Sequence, residues 1–208
     1  MVINLIPIHM KKIAILLFTL LFCFASFAQI SKEERANAIA EMVKTQEHFL
    51  KTINGLSEAQ LNFKISEDSW SIAECVEHIA LSENNLFGMA MGSLETPADP
   101  SKRSEVSMSD EQLMAIIVDR SNKVKTSEAF EPSGKFGSFE ETVKAFLEKR
   151  KSNIEYVSST DADLRNHYAQ LPFGTIDAYQ ALIFMSGHTE RHILQMEEVM
   201  GSSDFPTE

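Results

Sequence analysis

His188-Thr-Glu-Arg-His192 sets two imidazoles four residues apart. On a helix, side chains at that spacing stand one above the other on a single face. A third imidazole from a neighbouring helix would complete a three-nitrogen site for a divalent metal ion, with at least one coordination position left open. Structural metal sites are normally closed by four protein ligands, whereas sites that do chemistry keep a place for water or substrate. His78 is the candidate third donor. It lies one position from Ile79 and three from Cys75, on the border of an apolar stripe. On the last segment Ala181, Met185, His188, His192, Met196 and Val199 recur at three- and four-residue steps, so both of its histidines belong to the inward stripe. An unpaired polar group there is costly, and a metal would satisfy both lone pairs. Spacing alone leaves a second reading open, two partly exposed histidines hydrogen-bonded to backbone or carboxylate.

Other groups near these histidines have plainer explanations. Glu190 is two residues from each histidine and points away from the metal side. The pattern is therefore not His-Glu-x-x-His, and the zinc-protease base is missing. Glu74, one turn before His78, can orient it, serve as a general base, or simply complete a helix cap. Gln195, one turn after His192, is either an outer partner of that ring or a polar boundary residue. His48 lies off its helix's apolar stripe and reads as solvated surface, while His167 sits in a loop beside Tyr168 with nothing to place it. Cys75, within a helical pattern, reads as a small core residue.

The elements that must position these side chains are helices. Ser31/Glu34, Ser71/Glu74, Ser109/Gln112 and Ser138/Glu141 have capping-box spacing, and Thr175 after Gly174 can cap a fifth helix. Apolar periodicity predicts helices over about 32–54, 72–91, 110–125, 139–157 and 176–200. Their expected stripes include Ile39, Met42, Val43, Phe49, Leu50 and Ile53 on the first, and Leu113, Ile116 and Ile117 on the third. Ser57-Glu-Ala-Gln60 can start one short extra turn. No alternating strand pattern competes, and the segments 92–108, 127–137 and 161–174 read as loops. The expectation is one all-α domain, a four-helix bundle with an additional short helix.

Ahead of it, Met10-Lys-Lys12, the apolar run Ile13–Phe24 and Ser26-Phe-Ala28 have the form of a secretory signal cleaved before Gln29. The apolar run is shorter than the roughly 20 residues that span a bilayer. This predicts residues 1–28 as signal peptide and 29–208 as the mature domain, periplasmic or secreted, with no stable membrane insertion. Phe22 before Cys23 argues against a lipoprotein signal. Cys75 is then the only cysteine left, so no intrachain disulfide can form and the core must hold the fold. Loss of Lys11 and Lys12 takes the net charge from −11 to −13, which repels phosphate backbones and argues against nucleic acid as a partner.

Trp70-Ser-Ile-Ala-Glu-Cys-Val-Glu-His78-Ile, followed by Gly187-His188-Thr-Glu-Arg-His192-Ile-Leu-Gln195-Met, resembles the DinB-like superfamily, which includes the YfiT-type metal hydrolases. Leu56-Ser-Glu-Ala-Gln-Leu61 and Pro172-Phe-Gly-Thr175 fit the same pattern, and the similarity spans about 33–200. The resemblance implies a four-helix bundle holding one divalent metal, zinc or nickel foremost, on His78, His188 and His192. It also implies a small-molecule substrate or ligand and a homodimer. Members with known chemistry include thiol-dependent transferases and isomerases. Export lowers the expectation of thiol transfer, because reduced small thiols are scarce outside the cytoplasm. The function classes that stay open are a metal-dependent hydrolase, a thiol-dependent transferase, and a non-catalytic extracytoplasmic metal- or ligand-binding module.

Overall fold

The computed structural model describes residues 29–122 and 125–207. The predicted signal segment lies outside them. The helices are α1 (Lys32–Ile53), α2 (Glu58–Asn62), α3 (Ile72–Ser93), α4 (Asp110–Val118), α5 (Phe139–Ser159) and α6 (Ala178–Met200). Short 3-10 turns cover Pro100–Glu105 and Glu128–Phe130. Ser31, Ser57, Ser71 and Ser109 close full capping boxes, each hydroxyl accepting from the third helical N–H while that residue's side chain reaches back. Ser138 caps α5 through its hydroxyl alone. No helix among the described residues is long and apolar enough to cross a membrane.

Four long helices form the bundle. α6 packs on α1 and α3, and α5 closes the ring by packing on the same two. Helices adjacent in sequence therefore lie diagonally for the pairs α1/α3 and α5/α6. The core has two apolar halves. Phe49, Ile72, Val76, Phe146, Ile193 and Met196 fill one, and Met42, Leu86, Leu113, Val157, Leu182 and Met185 fill the other. Between them runs a polar layer to which all four long helices contribute. Arg150 donates to both carboxylate oxygens of Glu83 at 2.8 Å, to Thr45 Oγ1 at 2.8 Å, to the Met42 carbonyl at 2.7 Å and to Thr189 Oγ1 at 3.0 Å. Every residue of that layer is buried.

This layer explains where the predicted stripe of α1 was misplaced. Thr45 is an inward residue because Arg150 needs it, so α1 buries Ala38, Met42, Thr45, Phe49 and Ile53. Val43 and Leu50, expected inside, are 37% and 38% exposed, and Ile116 of α4 is 52% exposed.

Three further expectations are corrected. Tyr168–Leu171 (β1) and Gly174–Asp177 (β2) form an antiparallel hairpin, with Ala169 opposite Ile176 and Leu171 opposite Gly174. The two-residue turn Pro172-Phe173 leads into Gly174 at φ +138°, a backbone region glycine tolerates best. Thr175 does not cap the last helix because it lies within β2 opposite Gln170, to which its hydroxyl also donates, and the helix starts only at Ala178. Asp177 caps it instead, accepting from Gln180 N–H at 2.7 Å, and is held by Arg103 and Arg165. α4 also ends at Val118, not near Lys125. Arg191 donates to the carbonyls of Ile117, Asp119 and Asn122, satisfying the helix's C-terminal end from α6.

Candidate metal centre

The capping box at Ser71 starts α3 so that His78, two turns on, faces α6 from the buried side. His188 and His192 rise from α6 on consecutive turns. Their ring centroids lie 5.0 Å and 4.3 Å from that of His78, and 4.6 Å from each other. One nitrogen from each ring falls within 4.8 Å of the others, a group able to hold a metal ion. No carboxylate joins it among the described residues.

Hydrogen bonding fixes which nitrogens converge. His78 Nδ1 lies 2.7 Å from the Phe130 carbonyl, which can only accept, so Nδ1 carries the proton and Nε2 is bare. His192 Nδ1 lies 2.9 Å from Gln195 Oε1, and Arg120 Nη1 reaches the same oxygen at 3.3 Å. Arginine can only donate, so the amide oxygen faces both groups and His192 also presents Nε2. His78 Nε2 and His188 Nε2 are 3.3 Å apart. Two nitrogens bound tetrahedrally at 2.0–2.1 Å would be separated by about 3.4 Å. The residues present fit a divalent cation.

Electrostatics point the same way. Burial pushes His188 down to about 3, with His78 and Arg191 adding to the effect. Burial, then His188 and His78, holds His192 well below the usual imidazole range. Burial lowers His78 against the opposing bond to Phe130. All three rings are neutral near pH 7, the form that ligates metal.

The walls are aromatic. Trp70 lies 4.7 Å from His78 and 6.0 Å from His192, and Phe184 stacks on His188 at 5.9 Å. A cleft of about 400 Å³ opens onto His192 between Ile65, Trp70, Arg120, Glu131 and Gln195. α4 crosses α6 at Gly187, where a Cβ would meet Met114 Sδ at 2.8 Å and Ile117 Cγ2 at 3.3 Å. The glycine before His188 thus lets α4 close over the site.

The other candidates lie elsewhere. Glu74 accepts from the Ser71 N–H at 2.8 Å and from Lys64 Nζ at 2.7 Å, and lines a separate groove with Leu61 and Phe139. His167 Nδ1 faces the Ser93 carbonyl at 3.2 Å, beside the hairpin. Cys75 is a buried core residue whose thiol burial pushes up to about 12. His48 is not a solvated residue. It bridges α1 to α6 through Glu190 at 3.1 Å and Glu197 at 3.0 Å. Sequence reasoning missed Arg120 and the Phe130 carbonyl, because neither sits at a helical spacing from a histidine.

His48 gives a pH-dependent expectation. Burial pulls its pKa down, but the bonds to Glu190 and Glu197 outweigh this and leave it raised. Its contribution to stability is present below the unfolded value near 6.5 and is lost as pH rises through the higher folded value. The three clustered histidines are shifted the opposite way, so the comparison must be a difference. The melting advantage of wild type over His48→Gln is expected at about 1–4 °C at pH 5.5. It should vanish by pH 8.5, and an advantage that grows with pH would refute the assignment.

Comparison with known proteins places this geometry. The model of the DinB superfamily matches residues 41–196. The chain belongs to the DinB superfamily. A Bacillus subtilis relative, the uncharacterized protein YuaE, is 26% identical over 148 residues, covering 71% of this chain and 87% of its own. The solved structure of YfiT from Bacillus subtilis, described as a probable metal-dependent hydrolase with an unusual four-helix bundle topology, superposes with a TM-score of 0.55. That match covers 82% of this chain and 88% of YfiT at 17% identity, a likeness of fold. The diagonal placement of successive helices in this DinB-superfamily chain is the arrangement that lets α3 and α6 lie side by side and bring the histidines together.

Proposed function

We propose that this protein is an exported, metal-dependent hydrolase of the DinB superfamily, with His78, His188 and His192 as the metal ligands. The observation that carries it is the paired commitment of His78 Nδ1 to Phe130 and His192 Nδ1 to Gln195, which leaves Nε2 atoms bare and facing one point. Outer partners of this kind fix tautomer and orientation in metal-binding histidines. Zinc or nickel held there would polarise a carbonyl and acidify a bound water. The absence of a fourth donor side chain among the described residues leaves room for both. The cleft beside His192 receives a small molecule, its apolar part against Ile65 and Trp70 and its polar part toward Arg120. The likeness to YfiT supports hydrolysis over thiol transfer. Export rests on the basic start, short apolar run and small residues that precede Gln29.

Elemental analysis of full chain purified without chelators, from cells exporting it with its own leader, tests the core of this reading. About one equivalent of divalent metal per chain is expected, and none in the variant with alanine at all three histidines. Folded wild type without metal would overturn it. A screen of esters and amides, with chelation and metal add-back, then tests hydrolysis.

A further inference from the structure

A buried acid, Glu77, lies next to the site. Glu77 precedes His78 on α3, yet its carboxylate turns to the 128–135 loop rather than to the histidines. Its Oε1 accepts the N–H groups of Ser133 and Lys135, both at 3.0 Å, and its Oε2 accepts that of Gly134 at 2.9 Å. The Ser133 hydroxyl adds a weaker bond at 3.4 Å. Gly134 makes the turn possible with φ +74°, a conformation other residues rarely adopt. Upstream, the same loop runs through Phe130, whose carbonyl meets His78 Nδ1, and Ala129, whose carbonyl accepts from Asn85 at 3.4 Å. The loop therefore touches α3 at three levels, and only the Glu77 level uses an ionised group holding several amides. Charge-assisted bonds of this type are about twice as strong as neutral ones.

We propose that Glu77 is a positioning residue of the metal centre: by clasping the turn at 133–135 it keeps the Phe130 carbonyl on His78 Nδ1, and so keeps His78 Nε2 unprotonated and aimed at His188 and His192. Glu77 touches no ligand and no metal. Its effect passes through the backbone of the loop. Loss of the clasp turns three amides of exposed residues to water and releases the loop, and the His78 ring is then free to carry its proton on either nitrogen. The proposal rests on the metal-binding reading for its consequence, but its structural part does not.

Two readouts on the full chain test it. By competition with a chromophoric chelator, Glu77→Ala is expected to bind zinc about 10–100-fold more weakly than wild type, the usual cost of losing an outer partner. Glu77→Gln should fall between, because an amide can accept from Ser133 and Lys135 but presents a donor to Gly134. Gly134→Val, which breaks the turn and leaves the carboxylate in place, should reproduce the loss. Glu58→Gln, an exposed acid on the same groove, should bind as wild type. In the metal-free chain, long-range 1H–15N spectra should show His78 as the Nδ1–H tautomer in wild type and as a mixture in the Glu77 and Gly134 variants. A purely structural role would change melting and leave that tautomer unmoved. Unchanged tautomer and zinc affinity in Glu77→Gln and Gly134→Val would overturn the proposal even if Glu77→Ala fails to fold. If wild type itself takes no zinc, the metal reading fails, while the tautomer experiment still decides whether Glu77 positions His78.

Discussion

Alanine in place of His188 is expected to abolish tight zinc binding while leaving the bundle folded. In the proposed centre His188 is one of three donors, so the loss should exceed the roughly 100-fold that outer-partner changes cost. The apolar halves of the core do not depend on it, and melting of the metal-free chain should move by no more than about 3 °C. Its ring is held down to about 3 by burial, then by His78 and Arg191. A depressed group contributes stability above its unfolded value near 6.5 and loses it as pH falls toward the folded value. The metal-free variant should therefore tolerate pH 5 better than wild type, relative to their behaviour at pH 8. Isothermal titration and melting curves at both pH values give the answer, and zinc binding as tight as in wild type would sink the ligand assignment.

The second large effect lies away from the site. Arg150→Met leaves the Glu83 carboxylate buried without its cation and strips donors from Thr45, Thr189 and the Met42 carbonyl. Removing one partner of a buried pair costs about 3–5 kcal/mol. For a chain of this size that is a fall in melting temperature of about 6–20 °C. Replacing both partners, Glu83→Leu with Arg150→Met, should recover much of it, since apolar groups of similar volume carry no desolvation penalty. A single variant that melts within about 2 °C of wild type would show that the polar layer does not hold the four helices in register.

How much of this was legible in the sequence follows from the physics of each feature. Helix starts were readable because a serine and an acid or amide three residues on act locally: three of the four predicted boxes close in full, Ser138 caps by its hydroxyl alone, and Ser57/Gln60 closes a further box on the short extra turn. The bundle was readable from periodicity and from the family motifs around His78 and His188. The polar layer was not, because Arg150, Glu83 and Thr45 are far apart in sequence and each looks like a surface residue on its own helix. That same blindness shifted the α1 stripe onto Val43 and Leu50. The hairpin before α6 was hidden because its strands are four residues long and its turn lacks the usual Asn-Gly pair. At the site, that three imidazoles face each other came from the resemblance; Gln195, one turn from His192, was legible as a possible outer partner, while the partner of His78 was not. A backbone carbonyl such as that of Phe130 has no sequence signature at all.

The pairing of Glu190 with His48 ties the outer side of the centre to α1. Glu190 lies midway between His188 and His192 on α6, so the stretch that offers nitrogens inward is pinned outward to α1. Any roll of α6 about its long axis that widened or narrowed the gap to His78 would have to drag this outer tether. In the proposed metal centre, a change of ion that required α6 to roll would therefore meet resistance from this tether at acidic pH, where His48 is charged, and less of it once His48 is neutral.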